Sequence, residues 1–429
     1  MRTRIPLLIL LFCSSIVLAS NWPCFRGAGS CGQSDETHLP LTWSEIENLA
    51  WKTALPGPGS SSPIVWGDKV YVTCYSGYGL DPDNPGDITQ LKRHLICLKI
   101  ADGTIVWDRA IPATQPEDAY RAMMREHGYA SNTPATDGER IYVFFGKTGA
   151  LAFDMDGNPI WQTPLGTGSD KNQWGSGASV TLVGDLVLID AYDESKTLYA
   201  LNKADGKEAW KRDLSETGLT FTTPVVAQST EGRQELILSL PNQIWGLNPR
   251  TGVTYWTVST SMADTTMGTP VVADGILYAH GGGPRSRSAM AVRLGGTGDV
   301  TETHVLWSTS EAVANVPSPV VFKDHAYWVN DDGTAFCQDL KTGKTVYKET
   351  LPCAGRFAVY ASAVLADGRL YVPSRKGGVF VLAPTPEFEV LAHNLLTGDD
   401  TDFNASPAMS QGCILLRSNQ SLYCLKLKK

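Results

Sequence analysis

The chain reads as an all-β protein, an eight-bladed β-propeller closed by an N-terminal strand that completes the last blade. Three observations carry that reading. A Ser/Thr-led start recurs at Ser62-Pro63, Thr133-Pro134, Ser179-Val180, Thr223-Pro224, Thr269-Pro270, Ser318-Pro319, Ser362-Ala363 and Ser406-Pro407. After one long first step the starts are about 45 residues apart, the length of a four-stranded blade. The last repeat, residues 406–427, holds three strand-like runs, whereas residues 48–53 form one such run with no companions. Joining these termini in one blade removes free sheet edges, which template aggregation. Seven blades is the alternative count, with the irregular fifth or seventh repeat read as an insertion.

In chain order, residues 1–19 read as an export signal. Arg2 and Arg4 precede an apolar run, and Val17-Leu18-Ala19 offers a small-residue cleavage site. The run is shorter than the about 20 residues that a spanning helix needs, so the chain is expected to be exported to the periplasm or beyond and not transmembrane. Residues 20–47 are expected to lie across the propeller as an N-terminal extension. Residues 48–429 are expected to form it.

The first blade carries two insertions, residues 75–93 and 114–126, and residues 117–125 read as a short helix. Long insertions on a rigid scaffold are where binding tends to sit. The third repeat shows the local grammar. A short start at 178–182 leads through Gly184-Asp185 into Leu186-Val187-Leu188-Ile189, an unbroken apolar run of a strand buried on both faces. Leu198-Tyr199-Ala200-Leu201 follows, then the hairpin turn Ala204-Asp205-Gly206-Lys207 and a fourth strand ending on Trp210. Trp51, Trp107, Trp161, Trp256 and Trp307 hold the same place. They are read as a structural girdle between neighbouring blades, each indole N–H reaching a backbone carbonyl.

Net charge −8 and a pI near 5.4 argue against a nucleic-acid surface. Outside the leader, the cysteines suggest the disulfides Cys24–Cys31, Cys74–Cys97, Cys337–Cys353 and Cys413–Cys424, with buried free thiols as the alternative.

The turn-to-Trp segments 204–210 and 251–256 resemble the tryptophan-docking motif of propeller repeats first described in pyrroloquinoline-quinone (PQQ) dehydrogenases. Asn21-Trp22-Pro23-Cys24-Phe25-Arg26-Gly27, His127-Gly128-Tyr129-Ala130-Ser131 and Phe144-Phe145-Gly146 resemble exported PQQ-like proteins described as similar to the outer-membrane assembly factor BamB. This resemblance covers nearly the whole mature chain. It implies the propeller fold. For function it leaves two classes, because one fold hosts many activities.

The first is a quinoprotein dehydrogenase, which the resemblance would equip with PQQ, a calcium ion and an Asp base. The sequence lacks the adjacent Cys pair of many such enzymes and any Cys-x-x-Cys-His haem motif, so PQQ and calcium are not expected. Asp154-Met155-Asp156-Gly157-Asn158 is read as a turn rather than a calcium loop. The second class, preferred here, is a non-catalytic, monomeric scaffold that binds a protein or small ligand at one face. That face is expected to gather His127, Tyr129, Asn132, Trp174, Arg356 and Tyr360, with Gln173, Met267, Asn315 and Asn404 beside them. For His127 and Trp174 the plainer reading is a hydrogen-bonded structural residue and a packed blade edge.

Overall fold

A computed structural model describes residues 20–283, 285–353 and 355–428. The export signal read at residues 1–19 lies outside them. Eight four-stranded antiparallel units, one with an added fifth strand, are ranged in a ring. The first blade is Ile64–Trp66, Lys69–Ser76, Lys92–Lys99 and Ile105–Pro112, paired in sequence order. The next six blades repeat this order. The eighth takes its first three strands, Ala408–Ser410, Cys413–Arg417 and Ser421–Lys426, from the C-terminus, and its fourth, Leu49–Ala54, from the N-terminus. Trp51 pairs with Cys424 and Thr53 with Leu422. The count is therefore eight, and the fifth and seventh repeats are full blades.

Hydrophobic clusters lie between successive blades, fed by second and third strands that are buried on both faces. In the first seven blades the ladder between strands three and four slips by one residue beside the girdle position. The residue facing the girdle aromatic there is small: Cys97 opposite Trp107, Ala152 opposite Trp161, Ala200 opposite Trp210, Gly246 opposite Trp256, Cys337 opposite Tyr347.

The girdle works by reaching into the next blade. The Trp161 indole N–H donates to the Lys203 carbonyl at 2.9 Å, and its ring covers Gly206 so closely that a Cβ there would sit 2.6 Å from it. Trp51 on Gly103, Trp210 on Gly252 and Trp307 on Gly343 repeat the arrangement, with N–H bonds to the Ile100, Pro249 and Leu340 carbonyls. Trp107 covers Gly157, but its buried N–H finds no partner. Trp256 departs from the expected pattern. It folds over its own Gly246 and donates to Glu235 Oε2 at 2.8 Å. The cause lies in the fifth blade. Its last turn, in place of a tight Gly hairpin, adds the strand Gly298–Asp299 to the edge of the fourth blade.

Residues 20–47 cross the face opposite the long loops. Trp22 and Val65 exchange backbone hydrogen bonds in the first blade, Thr136 N–H donates to the Pro23 carbonyl in the second, and Leu365 N–H to the Gly32 carbonyl in the seventh. The insertions differ in detail from their reading. The helix is one turn, Met123–His127; residues 117–121 lie outside it, with the Glu117 side chain bonded to Arg93 and the Asp118 carbonyl to Tyr129. The strands Lys69–Ser76 and Lys92–Lys99 run on into the first insertion.

No cysteine among the described residues is disulfide-bonded. For Cys74–Cys97 the register gives the reason. Cys74 pairs with His94 and Cys97 with Tyr71, so the two thiols point to opposite faces and enter different clusters. Cys97, Cys337 and Cys424 are small residues facing a girdle aromatic, where other blades carry Ala or Gly.

Candidate functional site

The eight Ser/Thr residues that mark the repeats stand at the start of the innermost strands and encircle a channel. Each sits where its backbone meets the next blade. Ser62 N–H donates to Thr133 Oγ1 at 3.0 Å and Thr133 N–H to Ser179 Oγ at 3.1 Å. The chain of bonds continues through Thr223, Thr269, Ser318 and Ser362 to Ser406 at 2.9–3.1 Å. A hydroxyl is required because it offers an acceptor one atom beyond Cβ, where the neighbouring N–H would otherwise be orphaned.

This ring surrounds a cavity of about 170 Å³. Phe25 of the N-terminal strap lines one end. At the other stand Met123 of the second insertion and His127 just after it, with Phe221, Met267, Val316 and Tyr360. The lining holds hydroxyl, amide, imidazole, thioether and aromatic groups and no Asp or Glu.

The predicted face residues separate into three places. His127 and Tyr360 line the channel, with Met267 and Asn404. His127 is tied down. Its Nε2–H donates to the Trp174 carbonyl at 2.8 Å, which leaves Nδ1 to accept from the Ser131 hydroxyl at 2.6 Å. Burial lowers its pKa, so the ring is neutral and structural. Tyr129 and Asn132 are buried beside a small polar cavity between the second and third blades. Tyr129 donates to the Asp118 carbonyl at 2.7 Å inside a cluster with Tyr75, Tyr78 and Tyr120, and Asn132 donates to the Ala178 carbonyl at 2.7 Å. Neither faces the exterior, because the second insertion folds down over them. Arg356 is exposed over Phe357 in a separate groove with Arg375 and Lys376. Trp174 stacks on Phe221 at the channel rim.

What sequence reading missed is how the second insertion is fastened. Arg93 pairs with Glu117 at 2.6 Å and Lys147 with Asp118 at 3.1 Å, all four side chains nearly buried. Glu126 bonds Arg375 at 2.8 Å, and Arg375 bonds Asp402 at 2.6 Å. The insertion thus spans from the second blade to the seventh. Beneath it, burial raises Glu194 to about 8 and Asp190 to about 7. Glu194 lines the small polar cavity, whose volume of about 20 Å³ admits a water and not a substrate.

The model of the family described as outer membrane protein assembly factor BamB matches residues 45–173 and 92–349. Among solved structures, BamB from Moraxella catarrhalis superposes with a TM-score of 0.59 at 14% identity, covering 87% of this chain and 98% of its own. The computationally designed Ika8 protein gives 0.56 at 8% identity, covering 88% and 99%. The quinohemoprotein alcohol dehydrogenase ADHIIG from Pseudomonas putida HK5 gives 0.50 at 13% identity, covering 85% and 76%. At such identities the likeness is one of fold. No curated protein matches by sequence. On the family match and the eight PQQ-like blades, this chain belongs to the BamB family of β-propellers.

Proposed function

We propose that this protein is an exported, non-catalytic scaffold of the cell envelope that docks a partner protein on its long-loop face, in outer-membrane protein assembly. The observation that carries the reading is the buried ion-paired anchoring of the second insertion. Arg93–Glu117 and Lys147–Asp118 turn a loop into a fixed platform, and Trp174, Phe221, Phe357 and Arg356 stand around it half-buried or exposed. Rigid aromatic and Arg anchors of this kind dominate protein–protein contacts. The family description supplies the process. Among the described residues no helix is long and apolar enough to cross a membrane.

The fit of PQQ with calcium was the dehydrogenase alternative. Calcium takes carboxylate and carbonyl oxygens, and an alcohol oxidation needs a base. The channel lining supplies the Asn404 amide and no carboxylate, so its residues do not fit the pair.

Two measurements test the proposal. Photo-crosslinkers at Trp174 and Arg356 in the native envelope should capture one and the same protein, and a crosslinker at Val253 on the outer rim should not. Equal capture from all three positions, or none, defeats the docking reading. Purified protein given PQQ, Ca²⁺, alcohols or sugars and a dye acceptor should show no turnover; turnover would restore the enzyme.

A further inference from the structure

We propose that the channel binds a small oxyanion of the hydrogen-phosphate type inside the hydroxyl ring. The inference stands apart from the docking reading, since it concerns the lumen and not the exposed loops.

The first observation is a surplus of donors. Seven of the eight ring hydroxyl oxygens accept a neighbour's backbone N–H. Among the described residues, none of the eight donates its own proton to a protein acceptor, and all eight line the same cavity. Tyr360, on the same wall, has a buried hydroxyl without a partner. A guest rich in acceptors would satisfy these groups. A polyol would bring as many donors as acceptors and leave most of its own unmet.

The second observation is charge. Arg26 and Arg417 are buried at 0% and 1% exposure. Neither pairs with a carboxylate among the described residues, and each keeps two nitrogens without partners. Both abut the ring. Arg26 donates to the carbonyl of Pro319, next to Ser318, and Arg417 donates to the Ser61 carbonyl at 2.9 Å, next to Ser62. Desolvation lowers each to about 10, which leaves them cationic at neutral pH. Buried cations without counter-charge are costly. With no Asp or Glu in the lining, the field of these two cations behind the ring favours an anion in the lumen over a cation.

The third observation selects the anion. Asn404 Nδ2 donates to the Glu126 carbonyl at 2.8 Å, which fixes the amide so that the acceptor Oδ1 is buried without a donor on the same cavity wall. An oxyanion that keeps one hydroxyl can donate there. Hydrogen phosphate does so and sulfate does not. The cavity of about 170 Å³, with Phe25 on one side and Met123 on the other, suits an ion of that size and not a nucleotide.

Calorimetric titration of the mature protein with inorganic phosphate at constant ionic strength tests this. Saturable one-site binding is expected, with sulfate weaker by about tenfold or more. The Thr223→Val/Thr269→Val variant, folded by circular dichroism, should lose about tenfold in phosphate affinity, and Tyr360→Phe a smaller factor. Should the double variant not fold, wild-type crystals soaked in arsenate decide: an anomalous peak among the ring hydroxyls supports the proposal. No peak in the channel overturns it, as does equal binding heat in wild type and a folded double variant.

Discussion

The indole of Trp51 lies over Gly103, and its N–H donates to the Ile100 carbonyl at 2.8 Å. Trp51 belongs to the strand that closes the eighth blade, and Gly103 to the last turn of the first. One side chain therefore both finishes the ring and docks its end onto its beginning. The turn must carry glycine for two reasons. Its φ is +73°, and a Cβ would stand 2.5 Å from the Trp51 ring.

Those two reasons separate by substitution. Gly67 has φ +58° with nothing within 4 Å of a built Cβ. Gly67→Ala should cost about 1 kcal/mol, the conformational part alone. Gly103→Ala should cost at least about 2–3 kcal/mol, because the indole must move. Urea midpoints of the two variants check the difference; equal costs would mean that the indole does not press on the turn.

Closure itself can be removed. A chain beginning at residue 55 leaves Ser421–Lys426 as an unpaired edge and uncovers the cluster around Leu422 and Tyr423. It should run as soluble aggregate on size exclusion, since an open apolar edge pairs with other chains. A monomer with wild-type elution would show that the first strand is dispensable.

The cysteines facing girdle aromatics should behave as small core residues. Cys97→Ala and Cys337→Ala reproduce Ala152 and Ala200 of the second and third blades and should each cost about 1 kcal/mol or less. Cys97→Leu should cost more, because Trp107 and Tyr71 already fill the space opposite. Thermal unfolding of the three variants reads this directly.

Glu194 gives a pH dependence with a defined sign. Burial raises its pKa from 4.5 to about 8, with the like charge of Asp193 adding to the rise. A carboxyl raised on folding contributes stability that is whole below its unfolded pKa and is lost as pH rises through the folded one. The window is thus about pH 4.5 to 8. Glu194→Gln copies the protonated form. The stability difference between variant and wild type should therefore grow in the variant's favour across that window and level off above it. Asp193, and Asp190 (itself raised to about 7), are coupled to Glu194 by charge, so the difference reads Glu194 together with its effect on those two carboxyls. A flat difference would show that the carboxyl is solvated.

Much of the ring was legible because its devices are local. A hairpin turn, a Trp four residues beyond its Gly and a Ser/Thr start each recur within one blade, and the unmatched strand at 48–53 pointed to the closure. Trp256 misled because the cause of its departure lies in the following blade, where Gly298–Asp299 occupies the edge. Residues 117–125 misled because helical spacing was outweighed by Glu117 and Asp118, which bond partners far along the chain.

The sequence alone determined the repeat, the seam and most of the girdle, since each follows from backbone and side-chain geometry repeated over about 45 residues; the choice of eight blades over seven came from the strand order. Only the tertiary structure decided which side chains share a cavity. His127 and Tyr360 reach the channel while Tyr129 and Asn132 are covered, and Arg26 meets Pro319. Such meetings depend on ring closure and on the path of two insertions across its face. Those are long-range contacts, and no periodicity records them.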